Sequence, residues 1–319
     1  MSTIKNWIKS SGSYKISEET TGTSLVPLGT KFLENTTAGT TAIQSKQAYG
    51  EWEWDVYKGA DANAHYTDFI GSEKTLSGNA YVISFNQNEL LALVKLGVSN
   101  LFTTANSYLS NNTWYKLKVA RLQSEGVFKD IETLQTSDLV NGSYDSFTSY
   151  GRYGFNASDT GTGTGICGTA DEISIVTGVK YLVQFDLKLN SGTLPSAKFD
   201  SAFAAGSASN TVTCVSGRNS HILTATSTTT GVFEFFSTST ATDYEISGLT
   251  IRRIYPANTF AVFIKGGSFG DDWTLVDTTG GSGSNPVTDA TYTTSEYLVA
   301  DLDAGDRIAN LKITNGVKQ

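Results

Sequence analysis

The segment Glu51-Trp-Glu-Trp-Asp-Val-Tyr57 alternates acidic and apolar residues with a period of two. That period fits a β-strand with one face in a core, because successive side chains of an extended chain point to opposite sides. Strand-like runs recur at Ala80–Phe85, Trp114–Arg121, Tyr181–Leu189, His221–Thr226, Val232–Phe236, Ile246–Arg252 and Phe260–Lys265. Turn clusters such as Gly161-Thr-Gly-Thr-Gly165 and Gly280-Gly-Ser-Gly-Ser-Asn-Pro286 lie between them. Short strands punctuated in this way predict an all-β chain built of sandwiches. Helix is confined to a short propensity at Asn88–Lys95 and one turn at Thr103–Leu109.

At 319 residues the chain is long enough for two domains. All five tryptophans (Trp7, Trp52, Trp54, Trp114, Trp273) lie outside residues 130–256, and the middle is rich in Ser, Thr and Gly. This contrast predicts a guest domain at 130–256 inserted into a host made of 1–128 and 258–319. Gly126-Val127-Phe128 reads as the start of a strand that Thr259–Lys265 continues.

Lys and Arg total 23 against 31 Asp and Glu, a net charge of −8. That balance argues against a nucleic-acid binder and against a polybasic membrane surface. No apolar run reaches the ~18 residues that span a bilayer. Met1-Ser-Thr-Ile-Lys5 is not followed by an apolar export signal, so the sequons at Asn35, Asn111 and Asn156 read as chance matches. Cys167 and Cys214 are expected as buried free thiols. The two histidines, His65 and His221, stand apart without zinc-ligand spacing, and no cofactor is expected.

Several residue groups carry possible chemistry. Glu51, Glu53 and Asp55 share one strand face, with Trp52, Trp54 and Val56 on the other. A retaining glycosidase needs carboxyls ~5–5.5 Å apart and an inverting one ~6.5–9.5 Å. No second Glu follows Asp55 at the required place, so the strand is expected to be structural, with Trp side buried and acid side solvated. Asp301, Asp303 and Asp306 form a carboxylate group without calcium-loop spacing and are expected in a solvated turn. For sugar recognition, the candidates are Tyr150, Arg152 and Tyr153, joined by Arg218 and His221, because rings and directed polar groups suit that task. Trp273, after Gly270-Asp-Asp272, is a further candidate as an exposed aromatic, as is Trp7.

The outer segments resemble the concanavalin-A-like (laminin-G-type) jelly roll of tailed-phage virion proteins. The resemblance rests on Asn6-Trp-Ile-Lys-Ser-Ser-Gly-Ser-Tyr-Lys15, Ala48-Tyr-Gly-Glu-Trp-Glu-Trp-Asp-Val-Tyr-Lys-Gly59 and Asn112-Thr-Trp-Tyr-Lys-Leu-Lys-Val119. Ile264-Lys-Gly-Gly-Ser-Phe-Gly270 and Asp301-Leu-Asp-Ala-Gly-Asp-Arg-Ile-Ala-Asn310 continue it. The middle is similar to galactose-binding-like, carbohydrate-binding-module-type sandwiches. Thr177–Asp186, Thr224–Phe236 and Tyr244–Arg252 carry that likeness. Where that family often places an Asp beside a structural calcium, this chain has Ser247-Gly248, so no metal is expected there.

The resemblance implies a non-enzymatic virion protein: a capsid decoration, head fibre or tail appendage. Its expected partners are other capsid or tail proteins and bacterial-surface or mucosal glycans, with no nucleic acid and no membrane. A homo-oligomer, with a trimer possible, is implied by the virion setting. The rivals are a jelly-roll glycoside hydrolase with an appended binding module, and a purely structural protein without ligand.

Overall fold

The structure, a computed structural model, describes residues 8–9, 13–21, 25–59, 65–170, 173–200, 208–238 and 240–315. Trp7, and with it part of the first resemblance segment, lies outside them. The chain divides into two compact units: residues 1–130 with 256–319, and residues 131–255. Each is a β-sandwich of two antiparallel sheets, and the protein is all-β.

In unit 1 one sheet runs Ile8–Lys9, Gly39–Gln44, Tyr297–Leu302, His65–Gly71, Ala80–Phe85, Leu91–Lys95, Ser99–Thr103, Ser282–Gly283. The other runs Ser13–Glu18, Lys31–Thr37, Arg307–Thr314, Gly50–Tyr57, Trp114–Arg121, Thr259–Lys265, Thr274–Leu275, with Val287–Thr288 also against Thr259–Lys265. N- and C-terminal strands therefore alternate within each sheet. Trp52 and Trp54 point inward and are fully buried, with Phe69, Phe260 and Leu117 in the same core. Full burial of one such side chain contributes roughly 2–3 kcal/mol, which is why the period of two is so binding on this strand.

In unit 2 one sheet runs Leu139–Asn141, Thr164–Thr169, Thr229–Thr238, Ser196–Asp200, Val212–Thr213, with Ile173–Ile175 also against Thr229–Thr238. The other runs Ser146–Ser149, Phe155–Asp159, Thr242–Arg253, Lys180–Gly192, Gly217–Thr224. Between them Phe155, Phe185, Phe199, Phe233 and Phe235 pack with Tyr181 and Tyr244. Rings supply the bulk that tryptophan supplies in unit 1. Cys167 and Cys214 are free and buried, and burial pushes the Cys214 thiol up to about 12.

Several sequence expectations are corrected. Leu91–Lys95 is a strand, not a helix, because its Leu and Val side chains pair in register with Tyr81–Phe85. Residues 104–109 hold turns and no helix. Gly126–Phe128 starts no strand. Thr259–Lys265 instead runs antiparallel to Trp114–Arg121, pairing Arg121 with Phe260 and Lys116 with Lys265.

Candidate functional site

Four short segments of unit 2 converge on one side of its five-stranded sheet. Ser146–Ser149 and Phe155–Asp159 form a hairpin whose tip is Tyr150-Gly-Arg-Tyr-Gly154. Gly151 has φ +84, a conformation that lets the tip reverse within so few residues. The tip is tied down from three directions. The amide of Tyr150 donates to the carbonyl of Gly154 at 2.9 Å, and that of Leu249 to the carbonyl of Tyr153 at 3.0 Å. The buried Gln135 side chain donates to the carbonyl of Arg152. The two tyrosines nonetheless stay in solvent, Tyr150 at 56% exposure and Tyr153 at 43%. The Arg152 guanidinium stacks 4.7 Å from the Tyr153 ring centre. The backbone of the tip is thus held in place while its rings stay outside.

Beside Tyr153 the strand Thr242–Arg253 bulges. Its pairing with Lys180–Gly192 shifts register between Gln184 and Asp186. The bulge places Ser247 and Gly248 on the exposed side, Gly248 at φ +64. Ser247 pairs with Asp186, and Asp186 with Arg218. Arg218 Nη1 donates to Asp186 Oδ2 at 3.0 Å on the open face. Tyr153, the bulge, Asp186 and Arg218 thus form one row across the sheet. Its span is about 14 Å, three strand spacings. The row offers a ring face at one end and a carboxylate with a guanidinium at the other.

Not every sequence candidate joins this row. Residues three apart on a strand face opposite ways, so Arg218 and His221 part company. His221 turns to the side of buried Asn219, with Nε2 3.1 Å from Asn219 Oδ1 and its ring 6.0 Å from Phe185. Burial holds its pKa below the usual histidine value. Trp273 is half-buried rather than free: Lys118 Nζ lies 4.4 Å and Lys265 Nζ 5.1 Å from its ring centre. The residues that the sequence reading missed are Asp186, Ser247 and Gly248. Gln184-Phe-Asp-Leu-Lys188 did carry a signal, since Asp186 and Lys188 continue the polar side of an alternating strand.

The acidic strand of unit 1 is occupied by lysines. Register sets Lys116 opposite Asp55 and Lys118 opposite Glu53. Asp55 is 3.1 Å from Lys116 and accepts from Asn310. Glu53 is 3.4 Å from Lys312. This side is not solvated as expected: Asp55 and Glu51 are buried. Burial pushes the Asp55 carboxyl up despite Lys116 and Asn310. Nor is the group Asp301, Asp303 and Asp306 a solvated turn, because Asp306 is fully buried. It lies 3.4 Å from His65 Nδ1 and accepts from the amides of Gly59 and Asp303. Asn35 is buried too, donating to the carbonyls of Gly39 and Leu302. Among the described residues no group of three or more His, Cys, Asp or Glu is placed to hold a metal. No described helix is long and apolar enough to cross a membrane.

No family model matches the sequence, and no curated protein matches it. Among solved structures, the chain is similar to the N-terminal CBM22-1–CBM22-2 tandem domain of Xyn10C from Paenibacillus barcinonensis. Identity is 11% and the TM-score 0.28, over 79% of this chain and 94% of that one. The likeness is a distant one of β-sandwich to β-sandwich.

Proposed function

We propose that this chain is a non-catalytic glycan-binding protein whose unit 2 makes the contact. The observation that carries the reading is the fixed hairpin tip with Tyr150 and Tyr153 in solvent, at the head of a polar row that ends in Asp186 and Arg218. Sugar rings have apolar C–H faces that pack on aromatic rings, and their hydroxyls both donate to carboxylates and accept from guanidinium groups. Unit 1 is read as a concanavalin-A-like jelly roll that supplies assembly contacts in a tailed-phage particle. The sequence segments quoted for that resemblance are its support. Weak single-site binding gains strength when many copies act together, which suits a homo-oligomer displayed on a particle. The lysines that bracket Glu53 and Asp55 favour this over a hydrolase reading.

The test is a glycan array probed with the full chain and with the Tyr150→Ser/Tyr153→Ser variant. Binding to at least one glycan class that the double variant loses is expected. Absence of any bound glycan, or equal binding by the variant, contradicts the reading.

A further inference from the structure

Unit 1 has a cleft of about 360 Å³, within the range of small-molecule sites. Segments far apart in sequence line it: Glu19, Tyr57, Asn112 to Trp114, Gly266 with Gly267, and Arg307. Register explains the meeting. Tyr57 pairs with Trp114 on one side and with Arg307 on the other, so three side chains from neighbouring strands share one row.

Arg307 lines this cleft. Its guanidinium lies 4.7 Å from the Phe32 ring centre and 4.6 Å from that of Tyr57, so the rings set its orientation. The acids beside it stop short of hydrogen-bond distance. Glu19 Oε2 is 3.8 Å from Nη1, and Glu34 Oε1 is 3.7 Å from Nε. Among the described residues, buried Nε has no hydrogen-bond partner. Buried Nε cannot reach a ligand, so what the cleft meets is the part of the Arg307 side chain that stays 27% exposed, held by the two rings.

Glu19 does not supply that acceptor, because its own oxygens are claimed. Oε1 accepts from the Thr21 hydroxyl at 2.8 Å and amide at 3.2 Å, and Oε2 from the Trp114 indole at 2.9 Å. Burial pushes the Glu19 carboxyl up, but these donors, with Arg307, hold it at about 2. It is thus an anion at neutral pH, and Glu34 lies 3.2 Å from Lys15. The guanidinium has two carboxylates within 4 Å of it, and a third anion would meet their repulsion. An uncharged oxygen acceptor escapes that cost. The walls suit such a ligand: Tyr57 hydroxyl donates to Asn112 Oδ1 at 3.2 Å, and Thr113 stands beside it. Gly266 at φ +91 and Gly267 at φ +55 form the facing wall without side chains.

We propose that this cleft is a second binding site, distinct from the unit 2 row, for an uncharged polyhydroxylated ring such as a neutral hexose unit. Arg307 donates to ring hydroxyls, and Glu19, through Trp114, acts as a positioning residue.

The test uses the full chain in the Tyr150→Ser/Tyr153→Ser background, which removes the aromatic end of the unit 2 row. Saturation-transfer NMR is run with methyl hexopyranosides and with methyl uronides as probes. The expected result is transfer to at least one neutral glycoside, little to its uronide, and a loss of tenfold or more in affinity on Arg307→Lys. Thr21→Trp, which narrows the exposed rim and takes one hydroxyl donor from Glu19 but leaves Arg307 in place, should lower affinity as well, and a melting temperature close to the parent's for each variant separates lost binding from lost folding. Stronger binding of the uronides, neutral binding that survives both substitutions, or no binding by any probe overturns the proposal. Loss of all binding in the Tyr150→Ser/Tyr153→Ser background, with binding present in the unaltered chain, overturns this site and leaves the unit 2 reading standing.

Discussion

Arg121 Nη2 donates to Asn258 Oδ1 at 3.2 Å, joining the strand end that precedes unit 2 to the segment that follows it. The same guanidinium donates to the carbonyls of Ala48 at 3.2 Å, Tyr292 at 2.6 Å and Asp289 at 3.2 Å. Rings of Tyr49, Tyr81 and Phe260 flank it at 4.6 to 5.1 Å. Backbone bonds repeat the stitch: Leu122 amide to Thr259 carbonyl at 3.0 Å, and Asn258 amide to Leu122 carbonyl at 2.8 Å. Four stretches of unit 1 therefore close on one buried cation.

Arg121→Met keeps the apolar bulk and takes this donor from the carbonyls of Ala48 and Tyr292, while that of Asp289 keeps the Tyr81 hydroxyl. Unsatisfied buried acceptors cost ~1–3 kcal/mol each. Unit 1 should lose about 3 kcal/mol or more, read as a lower midpoint in urea denaturation followed by tryptophan fluorescence. All described tryptophans lie in unit 1, so the signal reports that unit. An unchanged midpoint contradicts the assigned role.

Because Leu122 and Asn258 already bond each other, unit 1 should survive excision of its guest. Replacing residues 131–255 by a four-residue Gly/Ser link closes only a short loop, at small entropic cost. The expected product keeps a β-type circular dichroism spectrum and one cooperative melt. The fragment 131–255 should likewise melt as one unit. A molten product in either case would show that the units need each other.

Glu19 makes unit 1 acid-sensitive in a defined window. A carboxyl held at about 2, against an unfolded value of ~4.3, contributes stability that is fully present above the unfolded value. That contribution is lost as pH falls from about 4 towards 2. The melting-temperature gap between the unaltered chain and Glu19→Gln should be constant at pH 6–7 and close within that window. A gap independent of pH down to 2 would contradict it.

Asp68 works in the opposite sense. It lies between Val299 and Val82 in register and is fully buried. Burial pushes its carboxyl well above the usual range, only partly offset by the backbone of Ile70. A raised folded value means that stability is greatest at low pH and falls as pH rises through that value. Asp68→Asn should therefore gain melting temperature relative to the parent as pH is raised from 4 to 9. A gap that shrinks with pH would show that the carboxylate is favoured in the fold.

The all-β class and most long strands were legible because burial imposes a period of two on strands such as Gly50–Tyr57 and Lys180–Gly192. Trp52 and Trp54 were assigned to the core by that rule alone. What the rule leaves out is the partner strand. Lysines that neutralise Glu53 and Asp55 come from Trp114–Arg121 and Arg307–Thr314, far along the chain, so the acid side looked solvated. Leu91–Lys95 misled for the same reason: its helix-forming Leu residues meet Tyr81–Phe85 only after pairing. At the candidate row, Tyr150 and Tyr153 could be found from their local concentration, whereas Ser247 and Gly248 needed a bulge that only pairing with Asp186 creates. Grouping Arg218 with His221 ignored the strand's own alternation.

The most direct measurement is amide chemical-shift mapping of the full chain with the best glycan from the array. The expected shifts gather at residues 149–154, at Ser247, Gly248 and Asp186, and at Arg218, and vanish from that row in Tyr150→Ser/Tyr153→Ser. Shifts confined to the opposite sheet of unit 2, around Ile166 and Phe236, or no shifts in unit 2, would contradict glycan contact through this surface.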